Sequence, residues 1–355
     1  MKRSKLAFLS VAIAILACSF PAMALSPEEV ASFAINNQGK QIFTGKRIHR
    51  LMRQDLALTA TMKISYQDPS NYRVVVSEPS GLAGVNLWME DNRARVFFPA
   101  EGLLFRNDNP TGSYEAASTI FGNITPDLSL LKANYRLELL EQSVVALQTC
   151  YVLKLTPKKG YRTPGHSFWI SKESGQILKE ERTWGENLEP YFSSYYDDFR
   201  SAKAVDPTVT VPVGIHAVDL KQRERNSFQM FRSLNDAETA INGKVALPSY
   251  VPEGFTLHNI QFASFFGTRI TLLDYTDGLN WLFISYRPKP NMFVTMMAGA
   301  LALNLIDKMN QLSFQAPYNY AGAEKADNLI FSYGDLYPDE LKKVGASLSL
   351  SVASK

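Results

Sequence analysis

From Val144 to Pro157 the chain reads V-V-A-L-Q-T-C-Y-V-L-K-L-T-P, and from His166 to Trp184 it reads H-S-F-W-I-S-K-E-S-G-Q-I-L-K-E-E-R-T-W. The first run alternates. Leu147, Tyr151, Leu153 and Leu155 share one face, and Gln148, Cys150, Val152 and Lys154 share the other. Gly160, Pro164 and Gly165 break the run before the next strand. K-E-S-G then makes a tight turn in which Gly175 supplies a positive φ. Tyr191 to Phe199 adds another strand. The pattern is an antiparallel meander with one apolar face, and that face requires a cover.

Upstream the same period continues. Ser26, Pro27, Glu28 and Glu29 open a helix with Val30, Phe33, Ala34 and Ile35 as its apolar stripe, ending near Gly39. Strands are expected at 41–49, 56–66, 72–78, 82–89, 93–98 and 103–106, with turns at Asp68–Asn71, Pro79–Gly81 and Asp91–Asn92. This spacing implies a strongly curved sheet around a helix. Residues 107–122 break the pattern with Pro110, Gly112 and Gly122.

Downstream, 203–214 reads as a linker and 219–241 as a polar, helix-prone connection. A second unit begins with L-P-S-Y-V-P-E-G-F at Leu247. Strands are expected at 256–264, 269–276, 280–286 and 328–333, with a hairpin turn at Tyr275–Gly278. Pro338 opens a last helix with Leu341, Val344 and Leu348 on its apolar side. The expected division is 1–24 leader, 25–202 first domain, 203–244 connection and 245–355 second domain. The fold class is α+β, a curved antiparallel half-barrel around helices followed by a small α+β domain.

The first residues read as an export signal. Lys2, Arg3 and Lys5 precede an apolar stretch, and Pro21-Ala22-Met23-Ala24 ends in the small-x-small pattern cut by signal peptidase. Cleavage after Ala24 is one reading; lipidation at Cys18 within I-L-A-C is the other, and the flanks favour cleavage. Removing those three cations takes the net charge from +3 to 0. No basic cluster of the kind that nucleic acid needs remains. Cleavage leaves Cys150 as the single cysteine, with no partner within the chain, and its strand position makes it a small buried hydrophobe.

The residues now quoted resemble the periplasmic regulators of the RseB/MucB type. The meander and its aromatic strand through Phe199 are similar to the LolA and LolB lipoprotein carriers, whose fold is an unclosed half-barrel around helices. L-P-S-Y-V-P-E-G-F, L-L-D-Y-T-D-G and P-D-E-L-K-K-V-G-A-S-L stand in the order of the RseB C-terminal domain. The resemblance implies a non-catalytic regulator in the periplasm that binds the periplasmic domain of an anti-sigma factor. It also implies response to an acyl-chain lipid or lipoprotein, as part of envelope stress control of a sigma factor. The alternative it implies is a periplasmic lipoprotein or lipid carrier of LolA type.

Chemistry-bearing motifs are scarce. His49, His166, His216 and His258 form no H-x-x-H or H-E-x-x-H pair, and no nucleophile elbow, P-loop or dinucleotide fingerprint occurs. The expectation is no enzyme, no metal and no cofactor. His166 precedes a strand and reads as a surface or strand-end residue rather than a base. Asp197-Asp198 beside Tyr195-Tyr196 reads as a solvated strand end, with cation binding as the sharper alternative. The positive case is apolar binding on the concave wall of an open half-barrel, where each buried CH₂ is worth about 0.8 kcal/mol. Candidate wall residues are Leu58, Met62, Trp88, Phe97, Tyr151 and Phe168. Strand alternation places Phe168 and Trp169 on opposite faces, so at most one of the two lines the wall. Tyr114 and Phe121 are candidate lid residues. Met292, Met296 and Met297, in the apolar stretch 291–309, are candidates for a partner interface. That stretch has two other readings, core of the second unit or a shallow membrane contact, and is too short to span a bilayer.

Overall fold

A computed structural model describes residues 25–53, 56–91, 93–107, 127–160, 162–185, 189–206, 208–219, 228–265, 268–289 and 318–350. The leader, the lid candidates Tyr114 and Phe121, and the interface candidates Met292, Met296 and Met297 lie outside these residues.

Helix α1 (Pro27–Asn37) forms where Ser26 and Glu29 cap each other. Ser26 Oγ accepts from the Glu29 amide at 3.2 Å, and Glu29 Oε2 accepts from the Ser26 amide at 2.7 Å. Val30, Ala31 and Ala34 are wholly buried, and Phe33 and Ile35 pack beside them. The buried stripe therefore includes Ala31 as well as the residues the spacing predicts.

The strands that follow are β1 (Phe43–Arg53), β2 (Leu56–Asp68), β3 (Asn71–Glu78), β4 (Asn86–Glu90), β5 (Arg93–Phe98) and β6 (Leu103–Asn107). Helix α2 (Leu128–Asn134) intervenes, and then come β7 (Tyr135–Val145), β8 (Gln148–Pro157), β9 (Gly165–Ser171), β10 (Ile177–Thr183) and β11 (Phe192–Ser201). With β12 (His216–Asp219) they form a 12-stranded sheet in the order β12-β6-β5-β4-β3-β2-β1-β11-β10-β9-β8-β7. Only β12 runs parallel to its neighbour, β6. The β9–β10 turn uses Gly175 at φ +74°, as expected. A Cβ there would stand 2.8 Å from Asn37 Cβ and 3.1 Å from Phe33 O, so α1 lies directly against the turn. Helices α1 and α2 cover one end of the sheet, where Leu131, Leu153, Leu155, Phe168 and Ile170 are fully buried with them.

The alternation in β8 holds with one correction. Leu147 does not face inward; it sits in the β7–β8 turn at φ +64° and is 99% exposed. Cys150 and Val152, on the opposite parity, are buried. Cys150 joins the larger cluster with Phe43, Met62, Ile64 and Leu178, so this strand is covered on both faces. Burial pushes the Cys150 thiol up to about 11. The thiolate, which is the reactive form, is then scarce at neutral pH. A disulfide exchange reagent is expected to leave Cys150 unlabelled in the folded protein and to label it at once in urea. Labelling under native conditions would show that the cluster opens.

The connection between the two sheets is less idle than its sequence suggests. Val209, Val211 and Ile215 pack on Trp88, Phe97 and Leu104. Among the described residues of the stretch 219–241, the expected helix is found as α3 (Leu234–Ile241), and Phe228–Phe231 before it is strand β13. Phe228-Gln-Met-Phe pairs with the edge of the second sheet, which outweighs its neighbours' helical preference.

That sheet has six strands, ordered β13-β14-β15-β16-β18-β17. Its further members are β14 (Thr256–Phe265), β15 (Thr268–Thr276), β16 (Trp281–Pro288), β17 (Asn319–Lys325) and β18 (Asn328–Gly334). Helix α4 (Pro338–Ala346) and α3 pack on one face, burying Ile260, Leu273, Leu282, Ile284, Leu341 and Val344. Among the described residues, no helix is long and apolar enough to cross a membrane.

Candidate functional site at the seam between the sheets

The β15–β16 turn, Asp277 to Asn280, is driven into the end of the first sheet. Asp277 Oδ1 accepts from the amides of Leu279 at 2.9 Å and Asn280 at 2.7 Å, which folds the turn on itself. Leu279 is 4% exposed and belongs to the cluster of Val30, Leu131 and Phe168 rather than to its own sheet's core. Burying one such side chain is worth about 1.5–3 kcal/mol, enough to anchor a turn by itself.

Around that anchor runs a continuous chain of buried polar groups. Tyr135 donates its hydroxyl proton to Asp277 Oδ2 at 2.5 Å, and Asn280 Nδ2 donates to Tyr135 Oη at 2.5 Å. Asn280 Oδ1 lies 2.9 Å from His166 Nε2. His166 Nδ1 lies 3.2 Å from Glu180 Oε1. Arg182 Nε donates to that same oxygen at 2.6 Å, and Arg182 Nη1 donates to Asp335 Oδ1 at 2.6 Å. Asp335 follows β18, so the chain crosses between the sheets four times, at Asp277–Tyr135, Tyr135–Asn280, Asn280–His166 and Arg182–Asp335. Asn134 Nδ2 adds bonds to the carbonyls of Gly254 and Asp277, and Trp184 stacks on Tyr337 with ring centroids 4.1 Å apart.

The register explains the convergence. Phe168 pairs with Glu180, and His166 pairs with Arg182, so all four occupy one face of β9 and β10. Phe168 faces the helices, and the polar members of the same face meet the second sheet instead. Burial alone would raise the Glu180 carboxyl, but the Arg182 guanidinium and the His166 ring outweigh it and hold the group well below the usual carboxylate range. Burial raises Asp277 despite the bonds it accepts. Burial, and then the Asp277 charge, push the Tyr135 phenol well above its ordinary value. The expectation of a surface position for His166 is corrected: it is 3% exposed.

A cleft of about 80 Å³ opens at the seam between Tyr135, Thr163, Arg162, Glu253 and Asp277. Binding sites for small molecules start at about 300 Å³, so this cleft does not hold an acyl chain. Lys159 at its rim is paired with Glu253.

The wall candidates are dispersed. Met62 is fully buried in the cluster with Ile64, Val74 and Val76. Phe168 is fully buried with the helices, where Tyr151 packs partly exposed. Trp88 and Phe97 lie under residues 209–215 with Leu104, in a separate cluster. Leu58 is half-buried. Asp197 pairs with Lys46 at 3.0 Å and Asp198 with Arg200 at 3.0 Å. Among the described residues, no group of His, Cys, Asp and Glu is arranged to hold a metal ion.

No family model and no curated protein sequence matches the chain. Solved structures do. The crystal structure of MucB matches at 14% identity over 91% of this chain and 97% of that one, with a TM-score of 0.56. The MucA/MucB complex of Pseudomonas aeruginosa matches at 14% identity over 92% and 99%, also with a TM-score of 0.56. A LolA superfamily protein from Nitrosomonas europaea covers 51% of this chain at 15% identity, with a TM-score of 0.24. The chain thus shares the MucB fold along nearly its whole length, an α+β fold with a curved, unclosed sheet.

Proposed function

We propose that this chain, folded as MucB is folded, is a non-catalytic periplasmic regulator that binds the periplasmic region of an anti-sigma factor. The observation that carries this reading is the extent of the fold agreement, which takes in both sheets and includes a MucB structure solved with MucA. In this reading residues 25–202 and 245–355 are two domains, and 203–244 joins them. A carrier of LolA type leaves the second sheet and its seam without a role.

The same reading gives the regulator a lipid or lipoprotein ligand. Its acyl chain would enter the interior lined by Met62, Ile64, Val74 and Val76 by displacing side-chain packing. At about 0.8 kcal/mol per CH₂, a chain of ordinary length supplies on the order of 10 kcal/mol toward that displacement. Phe168 and Tyr151 would border the opened space, with Tyr114 and Phe121 as its lid. Met292, Met296 and Met297 would meet the protein partner.

Calorimetric titration of the mature chain with the periplasmic segment of a membrane-bound anti-sigma factor from the same source tests the proposal. The expected result is a saturable 1:1 complex that an acylated lipopeptide dissociates. Absence of a complex overturns the regulator reading. Lipopeptide binding followed by transfer to acceptor vesicles, without any such complex, establishes the carrier instead.

A further inference from the structure

We propose that the seam is a proton-operated latch, closed when His166 carries hydrogen on both ring nitrogens. The argument is one of donors and acceptors, and it stands apart from the identity of any partner. Asn280 Nδ2 lies 2.5 Å from Tyr135 Oη and 3.3 Å from Asp277 Oδ2. With Asp277 ionised, as the two amides and the hydroxyl that donate to it favour, reversing that amide would set its carbonyl oxygen against a carboxylate, so Oδ1 is the atom facing His166 Nε2. On the other side of the ring, Nδ1 faces Glu180 Oε1, an oxygen that already accepts from Arg182. Both ring nitrogens therefore face acceptors. A neutral imidazole has one N–H and one lone pair, and leaves one of these contacts as lone pair against lone pair. An imidazolium satisfies both, in a place where an unmade bond is costly because the ring is buried.

The surrounding charges agree. Arg182 is the cation beside the ring, on β10 with Glu180; Asp335 comes from the second sheet, and Asp277 and Tyr135 stand behind Asn280. Tyr191 lies near Arg182, and Phe168 stacks on the imidazole at 5.6 Å. Arg182 against Glu180 and Asp335 leaves one negative charge in the immediate group, and an imidazolium neutralises it. Loss of the proton leaves that charge buried and breaks the polar chain at the link between β9 and the 277–280 turn. The Arg182–Asp335 pair and the Trp184–Tyr337 stack remain as a looser joint.

Nitrogen-15 NMR of the histidine side chains, run beside amide hydrogen exchange across a pH series on the mature chain, tests the latch. The expected result is an imidazolium at residue 166 while the 277–280 amides are protected. Exchange of those amides should rise about ten-fold or more as the second ring N–H is lost, the size of one charge-assisted hydrogen bond. His166→Gln carries one donor nitrogen and one acceptor oxygen and takes no charge, so it should abolish the pH step. A neutral ring at every pH where the chain is folded overturns the proposal, as does an unchanged exchange step in H166Q. If that variant does not fold, the nitrogen shifts of the unmodified chain decide alone.

Discussion

Arg182→Met is expected to lower the unfolding free energy by about 3–5 kcal/mol, the cost of stripping one partner from a buried ionic group. Arg182 bonds Glu180 and Asp335 at 2.6 Å each, and the carboxyl groups are only 4% and 2% exposed at the side chain. Methionine fills much of the same volume, so the loss is electrostatic: two carboxylates stay buried without their counter-charge. Urea unfolding measures it, as a lower midpoint at unchanged slope. Adding Asp335→Asn to the variant removes one of the stranded charges and should recover part of the loss. A loss below about 1 kcal/mol for the single variant would class the triad with solvent-screened surface pairs.

Gly278→Ala is expected to cost about 2–5 kcal/mol and to act at the seam rather than in either core. Two penalties combine. Gly278 has φ +97°, and a Cβ there would stand 2.7 Å from the Leu131 amide nitrogen and 3.0 Å from the Leu130 carbonyl carbon. Those are backbone atoms of α2, and no rotamer change relieves them. The turn must withdraw, and Leu279 leaves its place beside Val30 and Phe168. Gly160→Ala is the control, because Gly160 also has a positive φ, +79°, but a Cβ there meets nothing within 4 Å. It should show only the backbone penalty, roughly 1–2 kcal/mol. Equal losses in the two variants would mean that the turn is not tightly inserted.

The two losses concern features that differ in how far a reader of the sequence can see them. The tight turn at Gly175, the capping box of Ser26 and Glu29, and the period-two runs of β2, β8 and β9 depend on residues close in sequence, and all are present. Local geometry decides them, because φ preferences, caps and side-chain alternation act over a few residues.

The seam was not legible. Its contacts join residues 114 apart for His166 and Asn280, 142 for Tyr135 and Asp277, and 153 for Arg182 and Asp335. Each of these residues, taken singly, looks like a strand-end or solvated polar group. One signal was available: Glu180 and Arg182 share the parity of Phe168 once β9 and β10 are set in register. That register places two charges on a face that is buried beside them. Likewise, alternation put Trp88 and Phe97 on strands but left open which face each would join, and the packing of residues 209–215 decided it. What the sequence determined alone is therefore most of the elements and their turns, while strands β12 and β13 depend on edge partners distant in sequence. Which charges are buried, and against which partners, was decided by the docking of one sheet on the other, because desolvation and pairing depend on neighbours that only the closed fold supplies.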